Sequence, residues 1–111
     1  MCSKFLSTDA MTGVKVYGDD LFVTVPRWRH GVPATLSRVI GSEGVIQLLE
    51  PWPSCAMNKI GDPDALQYVQ SMEVDTQGRM WIIDVGRINI YDDPAHPPIN
   101  TVCETMRCVY C

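Results

Sequence analysis

Short apolar runs alternate with turns rich in glycine, proline and aspartate along the first half of the chain, and this pattern predicts β-strands. Turn residues occur at 18–20 and again at 41–44. Pro26 and Pro51 each follow an apolar run, where a residue without an N–H group ends a strand ladder. Together these segments predict one antiparallel meander of four strands, at 13–18, 21–25, 34–40 and 44–49.

A second group of strands is predicted after a polar connector at 54–67. The runs at 66–74 and 80–85 have the composition of strands, and the residues between them form a hairpin turn. Gly78 suits the left-handed position of that turn, because it has no Cβ atom. No segment combines the caps and the periodicity that are typical of a helix.

The predicted strands are apolar on both faces, so each sheet needs cover on both faces. Stacked blades of a β-propeller provide such cover, and the strand pairs recur at about the 40–50 residue spacing of propeller blades. We therefore predict an all-β fold with one complete four-stranded antiparallel blade, 13–51, and the first hairpin of the next blade, 66–90. Strand edges left open in such a partial propeller predict self-association.

The chain contains six distinctive stretches: FVTVPRW at 22–28, GVPATL at 31–36, PWPS at 51–54, VQSMEVD at 69–75, GRMW at 78–81 and DVGRIN at 84–89. In this order they resemble the major royal jelly and yellow protein family. The resemblance covers residues 13–93, and it implies a partial six-bladed β-propeller that is secreted into the extracellular space. It also implies a small ligand in the central channel, such as a biogenic amine, a catechol or a sterol-like molecule. For some members it implies instead the rearrangement of dopachrome-type quinones.

The resemblance ends after Pro98, and the segment 99–111 is unlike the family. We therefore predict two regions, a partial propeller at 1–98 and a divergent, irregular tail containing cysteine at 99–111. Cys55 lies where the family has tryptophan, and Pro63 lies where it often has cysteine. The first 13 residues lack the apolar core of a secretory signal, so we expect a start farther upstream. The alternative to the ligand-binding role that the resemblance implies is a truncated product without function.

The bulk composition excludes two classes of partner. The formal net charge is −4, and nucleic acid binding rewards clustered lysine and arginine, which the chain does not have. No apolar run approaches the roughly 18 residues of a membrane-spanning helix. We expect neither nucleic acid nor membrane as a partner, and a small-molecule ligand only in the full-length protein.

Four residues are candidates for ligand contact. The Arg27 guanidinium and the Trp28 indole can bind a ligand at the mouth of a site. The structural alternative, which we favour, is that Trp28 packs between blades and Arg27 satisfies carbonyl groups at a strand end. Asp84 and Arg87 either contact the ligand or form a buried ion pair that fixes the strand end. Asp75 is predicted to be a turn residue.

Neither a metal site nor a cofactor is predicted. The tail cysteines Cys103, Cys108 and Cys111 supply three ligands, but structural zinc sites use four, and His30 and His96 are isolated. The sequence contains no Ser-His-Asp set and no glycine-rich phosphate loop. No catalytic residue can be named, and we do not expect this chain alone to be an enzyme.

Overall fold

A computed structural model of the chain describes residues 10–28, 30–44, 46–90, 95, 98–100 and 105–110. These residues contain no α-helix, which confirms the all-β class. None of their helical segments has the length and apolar character to cross a membrane. The strands are β1 (Gly13–Tyr17), β2 (Asp20–Thr24), β3 (Leu36–Glu43), β4 (Ile46–Pro51), β5 (Val69–Val74), β6 (Met80–Asp84), β7 (Arg87–Ile88), β8 (Ile99–Asn100) and β9 (Thr105–Tyr110), with one 3-10 turn at Ala56–Asn58.

The first sheet is the predicted antiparallel meander, with strand order β1-β2-β3-β4. Strand β3 is longer than predicted, because a bulge between Val39 and Gly41 restores pairing with β4 through Glu43. The predicted turn at 41–44 is therefore wrong in its first three residues. The chain reverses only at Gly44, whose φ of 62° lies in the left-handed region that favours glycine.

The second sheet has strand order β5-β6-β9 and takes its third strand from the tail. Met106 pairs with Ile83 and Arg107 with Ile82, so β6 has an antiparallel partner on each side. The prediction of an irregular tail is wrong for residues 105–110, because the free edge of β6 supplies backbone partners for them. A separate two-stranded ribbon joins β7 to β8.

The two sheets pack face to face around one apolar core. Phe22 lies at its centre, with its ring edge-on to Trp52 at a centroid distance of 5.2 Å. Burial of this apolar surface is the main favourable contribution to the packing of the sheets. The buried core residues are Phe22 and Leu36 from the first sheet, Leu66 from the connector, and Val69, Met72, Met80 and Ile82 from the second sheet.

Strands β1 and β5 approach each other closely where the sheets meet. A Cβ atom on Gly13 would lie 2.5 Å from the Thr24 hydroxyl oxygen and 3.1 Å from the Gln70 carbonyl oxygen, so only glycine fits there. The hydroxyls of Thr12 and Thr24 both donate to that Gln70 carbonyl, at 2.7 and 2.8 Å. Glycine and these two bonds hold β1 against β5.

Both sheets also expose apolar side chains on the faces that point away from the core. On the first sheet the strand register places Val14, Val16, Leu21, Val23, Val39 and Leu49 on its outward face, which we call outer face 1; Val14 and Val16 are exposed, whereas Val23 is buried. On the second sheet the register places Trp81, Ile83 and Met106 on the outward face, which we call outer face 2.

Candidate functional site

Arg27 follows β2 and is buried, with only 1% of its surface exposed. Its Nη1 donates to the carbonyls of Leu66 at 2.9 Å and Gln67 at 3.0 Å, and its Nε donates to the Val32 carbonyl at 3.3 Å. Its Nη2 donates to the Asn58 carbonyl. Burial lowers the pKa of Arg27 to about 10, and the Asp84 carboxylate opposes this shift, so the guanidinium stays charged at neutral pH.

Asp84 ends β6 and is fully buried. Its Oδ2 accepts the Gln67 N–H at 2.9 Å, and its Oδ1 accepts the N–H groups of Tyr68 at 3.0 Å and Gly86 at 2.9 Å. The carboxylate therefore binds the two connector residues that precede β5 and lies in the electrostatic field of Arg27.

The predicted buried pair of Asp84 with Arg87 does not form. Gly86 adopts a φ of 73° directly after β6, and in the strand that follows Ile88 is buried while Arg87 is exposed. Among the described residues the ion pairs involve other side chains, and the charge beside Asp84 is that of Arg27. The structure thus brings together Arg27 and Asp84, two of the four predicted site residues, and keeps Arg87 apart.

Trp28 lies next to Arg27 in sequence but points to a less buried region. Its Nε1 donates to the hydroxyl of Tyr68, a residue with 5% of its surface exposed. The Tyr68 hydroxyl also lies 3.5 Å from the side-chain oxygen of Gln70 on β5. Trp28 thereby joins the end of β2 to the start of the second sheet and keeps part of its indole at the surface.

Two connector residues that the sequence did not single out complete the buried polar cluster. The Asn58 side chain accepts the N–H groups of Thr35 at 2.9 Å and Leu36 at 3.2 Å, and donates to the carbonyls of Trp52 and Ser54. A buried arginine needs hydrogen-bond acceptors. This requirement was the only indication in the sequence that the connector would turn toward the core. We call Arg27, Asn58, Gln67 and Asp84 the polar clamp.

Gln67 folds the connector back on itself. Its side-chain oxygen accepts the Gly61 N–H at 2.9 Å, and its Nε2 donates to the carbonyls of Lys59 and Asp62, each at 2.8 Å. Within the polar clamp every side chain thus binds backbone groups, and this arrangement positions the connector between the sheets. Whether Arg27, Trp28, Asp84 or Arg87 contacts a ligand stays a prediction.

Asp75 occupies the hairpin turn between β5 and β6, as predicted. Its Oδ1 accepts the N–H groups of Gln77 and Arg79, both at 2.9 Å. Its Oδ2 accepts the Arg79 Nε at 2.6 Å and the Trp81 Nε1 at 2.9 Å. The backbone N–H of Arg79 first, and the Trp81 indole next, hold the pKa of the Asp75 carboxyl well below its usual range.

The described cysteines are oxidised. Cys55 in the connector and Cys108 on β9 are each disulfide-bonded. The described residues contain no group of three or more histidine, cysteine, aspartate or glutamate side chains that could hold a metal ion. Cys103, Cys111 and His96 lie outside the described residues.

The chain is similar to proteins named yellow from several fruit flies, and no family model matches it. It is 36% identical to protein yellow of Drosophila subobscura over 97 residues, which cover 84% of this chain and 17% of that protein. It is 38% identical to protein yellow of Drosophila pseudoobscura pseudoobscura over 88 residues, and 37% identical to that of Drosophila melanogaster over 92 residues. These two matches cover 77% of this chain and 16% of each relative. On this similarity the chain belongs to the yellow and major royal jelly protein family, and it spans about one sixth of the length of the relatives it matches.

Proposed function

We propose that this chain is a two-sheet part of a secreted six-bladed β-propeller that binds a small ligand in its central channel. The ligand classes that the family resemblance implies are biogenic amines, catechols and sterol-like molecules. The observation that carries the proposal is the 36% identity to protein yellow over 84% of the chain. A four-stranded meander followed by a second antiparallel sheet stacked on it is the arrangement expected of consecutive blades.

The oxidised cysteines support the extracellular part of the proposal. Disulfide bonds persist in secreted proteins and are rare in the reducing cytosol. Cys55 is exposed on the connector, where a cytosolic reductant would reach it. Oxidation of both Cys55 and Cys108 therefore fits a protein that folds in the secretory pathway.

The polar clamp has a defined task in this proposal. It fixes the connector between two consecutive sheets and so fixes how one sheet follows the other. Small-molecule pockets bury most of the ligand surface, so a channel site needs side chains from several sheets. We therefore expect this chain to contribute part of a site, with the half-buried Trp28 beside the polar clamp as a candidate contact, and to bind no ligand by itself.

A segment exchange tests the proposal. Residues 10–90 of this chain replace the matching segment of protein yellow of Drosophila melanogaster, and the parent protein is expressed beside the chimera. We expect the chimera to be secreted and to unfold in one cooperative transition, and calorimetric titration with dopamine to give the same affinity as the parent. Trp28→Ala in the chimera should weaken binding, whereas Met57→Ala on the exposed connector should not.

Two results would count against it in different ways. A chimera that is retained in the cell and unfolds without cooperativity would overturn the structural part. A folded, secreted chimera that binds neither dopamine, nor a catechol, nor a sterol, when its parent binds one of them, would overturn the ligand part.

A further inference from the structure

The first strand of the second sheet carries a bulge that exposes Gln70. The pairing of β5 with β6 shifts between Val69 and Met72, so Gln70 and Ser71 lie opposite one residue of β6. A bulge interrupts the regular ladder and changes the direction of the side chains in it. Gln70 and Ser71 are both exposed, although the segment before them, 65–69, is buried. The bulge therefore brings a glutamine amide to the surface beside the core.

The backbone of Gln70 is fixed at the seam where the two sheets lie closest. Its carbonyl accepts the hydroxyls of Thr12 and Thr24, at 2.7 and 2.8 Å, so the open end of the β1–β2 hairpin holds it. In the propeller proposed above, blades surround a central channel, and the edges at which consecutive sheets converge face that channel. Gln70 lies at such an edge, because β1 and β5 are the strands that meet there.

A chain of hydrogen bonds leads from Trp28 to the side chain of Gln70. The Trp28 Nε1 donates to the Tyr68 hydroxyl, and that hydroxyl donates to the Gln70 Oε1 at 3.5 Å. The polar clamp holds Tyr68 in place, because the Tyr68 N–H donates to the Asp84 carboxylate at 3.0 Å. A glutamine amide whose oxygen is occupied still has two N–H donors. The part of the chain that the structure describes offers the Gln70 Nε2 no acceptor.

The direction of this hydrogen-bond chain determines which ligand it can bind. An N–H donor needs a ligand atom that accepts a hydrogen bond, such as a hydroxyl oxygen, whereas an ammonium group has only donors. The half-buried Trp28 keeps part of its indole at the surface, and such a ring packs well against another aromatic ring. A donor beside an indole therefore matches a phenol or a catechol better than a simple amine.

The geometry points to Gln70 as a ligand-binding residue of the channel site, with its Nε2 donating to a hydroxyl oxygen of an aromatic ligand. Trp28 packs against the ring of that ligand, and Tyr68 acts as a positioning residue that orients the Gln70 amide. This assignment rests on the small-ligand role proposed above, and it adds the residue that selects the class of ligand.

Three related ligands test the assignment in the chimera with protein yellow. Dopamine carries an amine and two hydroxyls, 4-ethylcatechol lacks the amine, and phenethylamine lacks the hydroxyls. Calorimetric titration should give similar affinities for dopamine and 4-ethylcatechol. Phenethylamine should bind about tenfold more weakly, since it cannot accept the hydrogen bond from Gln70.

Variants of the chimera separate recognition from folding, which circular dichroism checks. Gln70→Glu keeps the shape of the side chain but replaces its donors with a carboxylate, so it should weaken binding of 4-ethylcatechol about tenfold and strengthen that of phenethylamine. Tyr68→Phe should weaken binding of 4-ethylcatechol and leave that of phenethylamine unchanged. Gln77→Glu, in the exposed turn at the other end of β5, is the matched control and should change neither affinity.

The possible failures are distinguishable. A folded Gln70→Glu chimera that binds 4-ethylcatechol as the unmodified chimera does would overturn the assignment and leave the proposed ligand role intact. Equal affinities of the unmodified chimera for phenethylamine and 4-ethylcatechol would overturn the assigned ligand chemistry in the same way. A folded chimera that binds none of the three ligands would overturn the proposed ligand role, and the assignment with it.

Discussion

The inward and outward surfaces of the two sheets are alike in apolar character but differ in what they contact. Ile82 and Ile83 are neighbours on β6, yet Ile82 is 2% exposed in the core and Ile83 is 46% exposed on outer face 2. Alternation along a strand sends successive side chains to opposite faces, so one residue type meets two environments. Apolar alternation therefore shows where a sheet can pack, and only the structure shows which side is already occupied.

The inward surface differs in a second way, because charged and polar groups are buried at its rim. The polar clamp places a guanidinium and a carboxylate beside the core and pairs both with backbone groups of the connector. The described residues of outer face 1 include no charged side chain. Loss of a clamp residue should therefore cost more than any change on the outward faces.

Removal of the Arg27 guanidinium is expected to have the largest effect. Arg27→Met keeps an apolar stem but leaves the four carbonyl groups that its guanidinium binds without a donor, and each buried polar group left unsatisfied costs about 1–3 kcal/mol. Urea unfolding followed by tryptophan fluorescence measures the loss. Arg87→Met, at an exposed position, is the control and should stay within about 0.5 kcal/mol of the unmodified chain. Equal losses would mean that the clamp does not hold the sheets together.

The two neighbouring isoleucines test the apolar half of the comparison. Ile82→Ala should cost about 2–5 kcal/mol, because it opens a cavity in the core. Ile83→Ala should change the free energy of unfolding by no more than about 0.5 kcal/mol. Both are measured by urea unfolding at a protein concentration where the chain is monomeric, so that contacts between copies do not contribute. A large loss at Ile83 under those conditions would mean that outer face 2 packs within its own chain.

A smaller loss is expected at Asn58. Asn58→Ala leaves the N–H groups of Thr35 and Leu36 without their acceptor, and an unsatisfied buried donor costs about 1–3 kcal/mol. Thermal unfolding compared with Lys59→Ala, an exposed neighbour in the connector, isolates this contribution. No difference between the two variants would show that the connector adjusts without loss.

Local chemistry in the sequence was sufficient to predict most of the first sheet and the hairpin of the second. The turn residues and prolines that bound these strands lie within a few residues of them. Short segments of sequence were therefore enough to predict the bounds of β1, β2 and β6. The length of β3 does not, because the bulge after Val39 depends on how β4 aligns beside it. Asp75 was predictable as a turn residue for the same local reason.

Long-range partners explain what the sequence did not reveal. Strand β9 forms because β6 has a free edge, which is a property of a segment more than twenty residues earlier in the chain. Asn58 and Gln67 resemble ordinary loop residues until the connector turns inward toward Arg27. The partners of Asp84 were missed because Arg87 is near in sequence, whereas the backbone N–H groups of Gln67 and Tyr68 that Asp84 accepts are near only in the fold.

The smallest effect is expected at Asp75, which lies in the turn between β5 and β6, whereas Asp84 is buried beside the core. Its carboxylate accepts hydrogen bonds only within its own hairpin, and its pKa lies below the value of the unfolded chain, 3.8. Because the folded state binds the proton more weakly, this stabilisation is fully present above about pH 4 and is lost as the pH falls through the lowered pKa.

Asp75→Asn should therefore lower the melting temperature at pH 7, and the gap to the unmodified chain should narrow as the solution is acidified below about pH 4. Glu73→Gln is the control, since the exposed Glu73 has only a long contact with Lys15, and it should give a smaller difference that added salt removes. A gap for Asp75→Asn that stays constant down to the acid transition would mean that the hairpin is held by the Arg79 and Trp81 side chains themselves. In that event the carboxylate charge of Asp75 would not stabilise this turn. Asp75 and Asp84 would then differ only in where they lie in the fold.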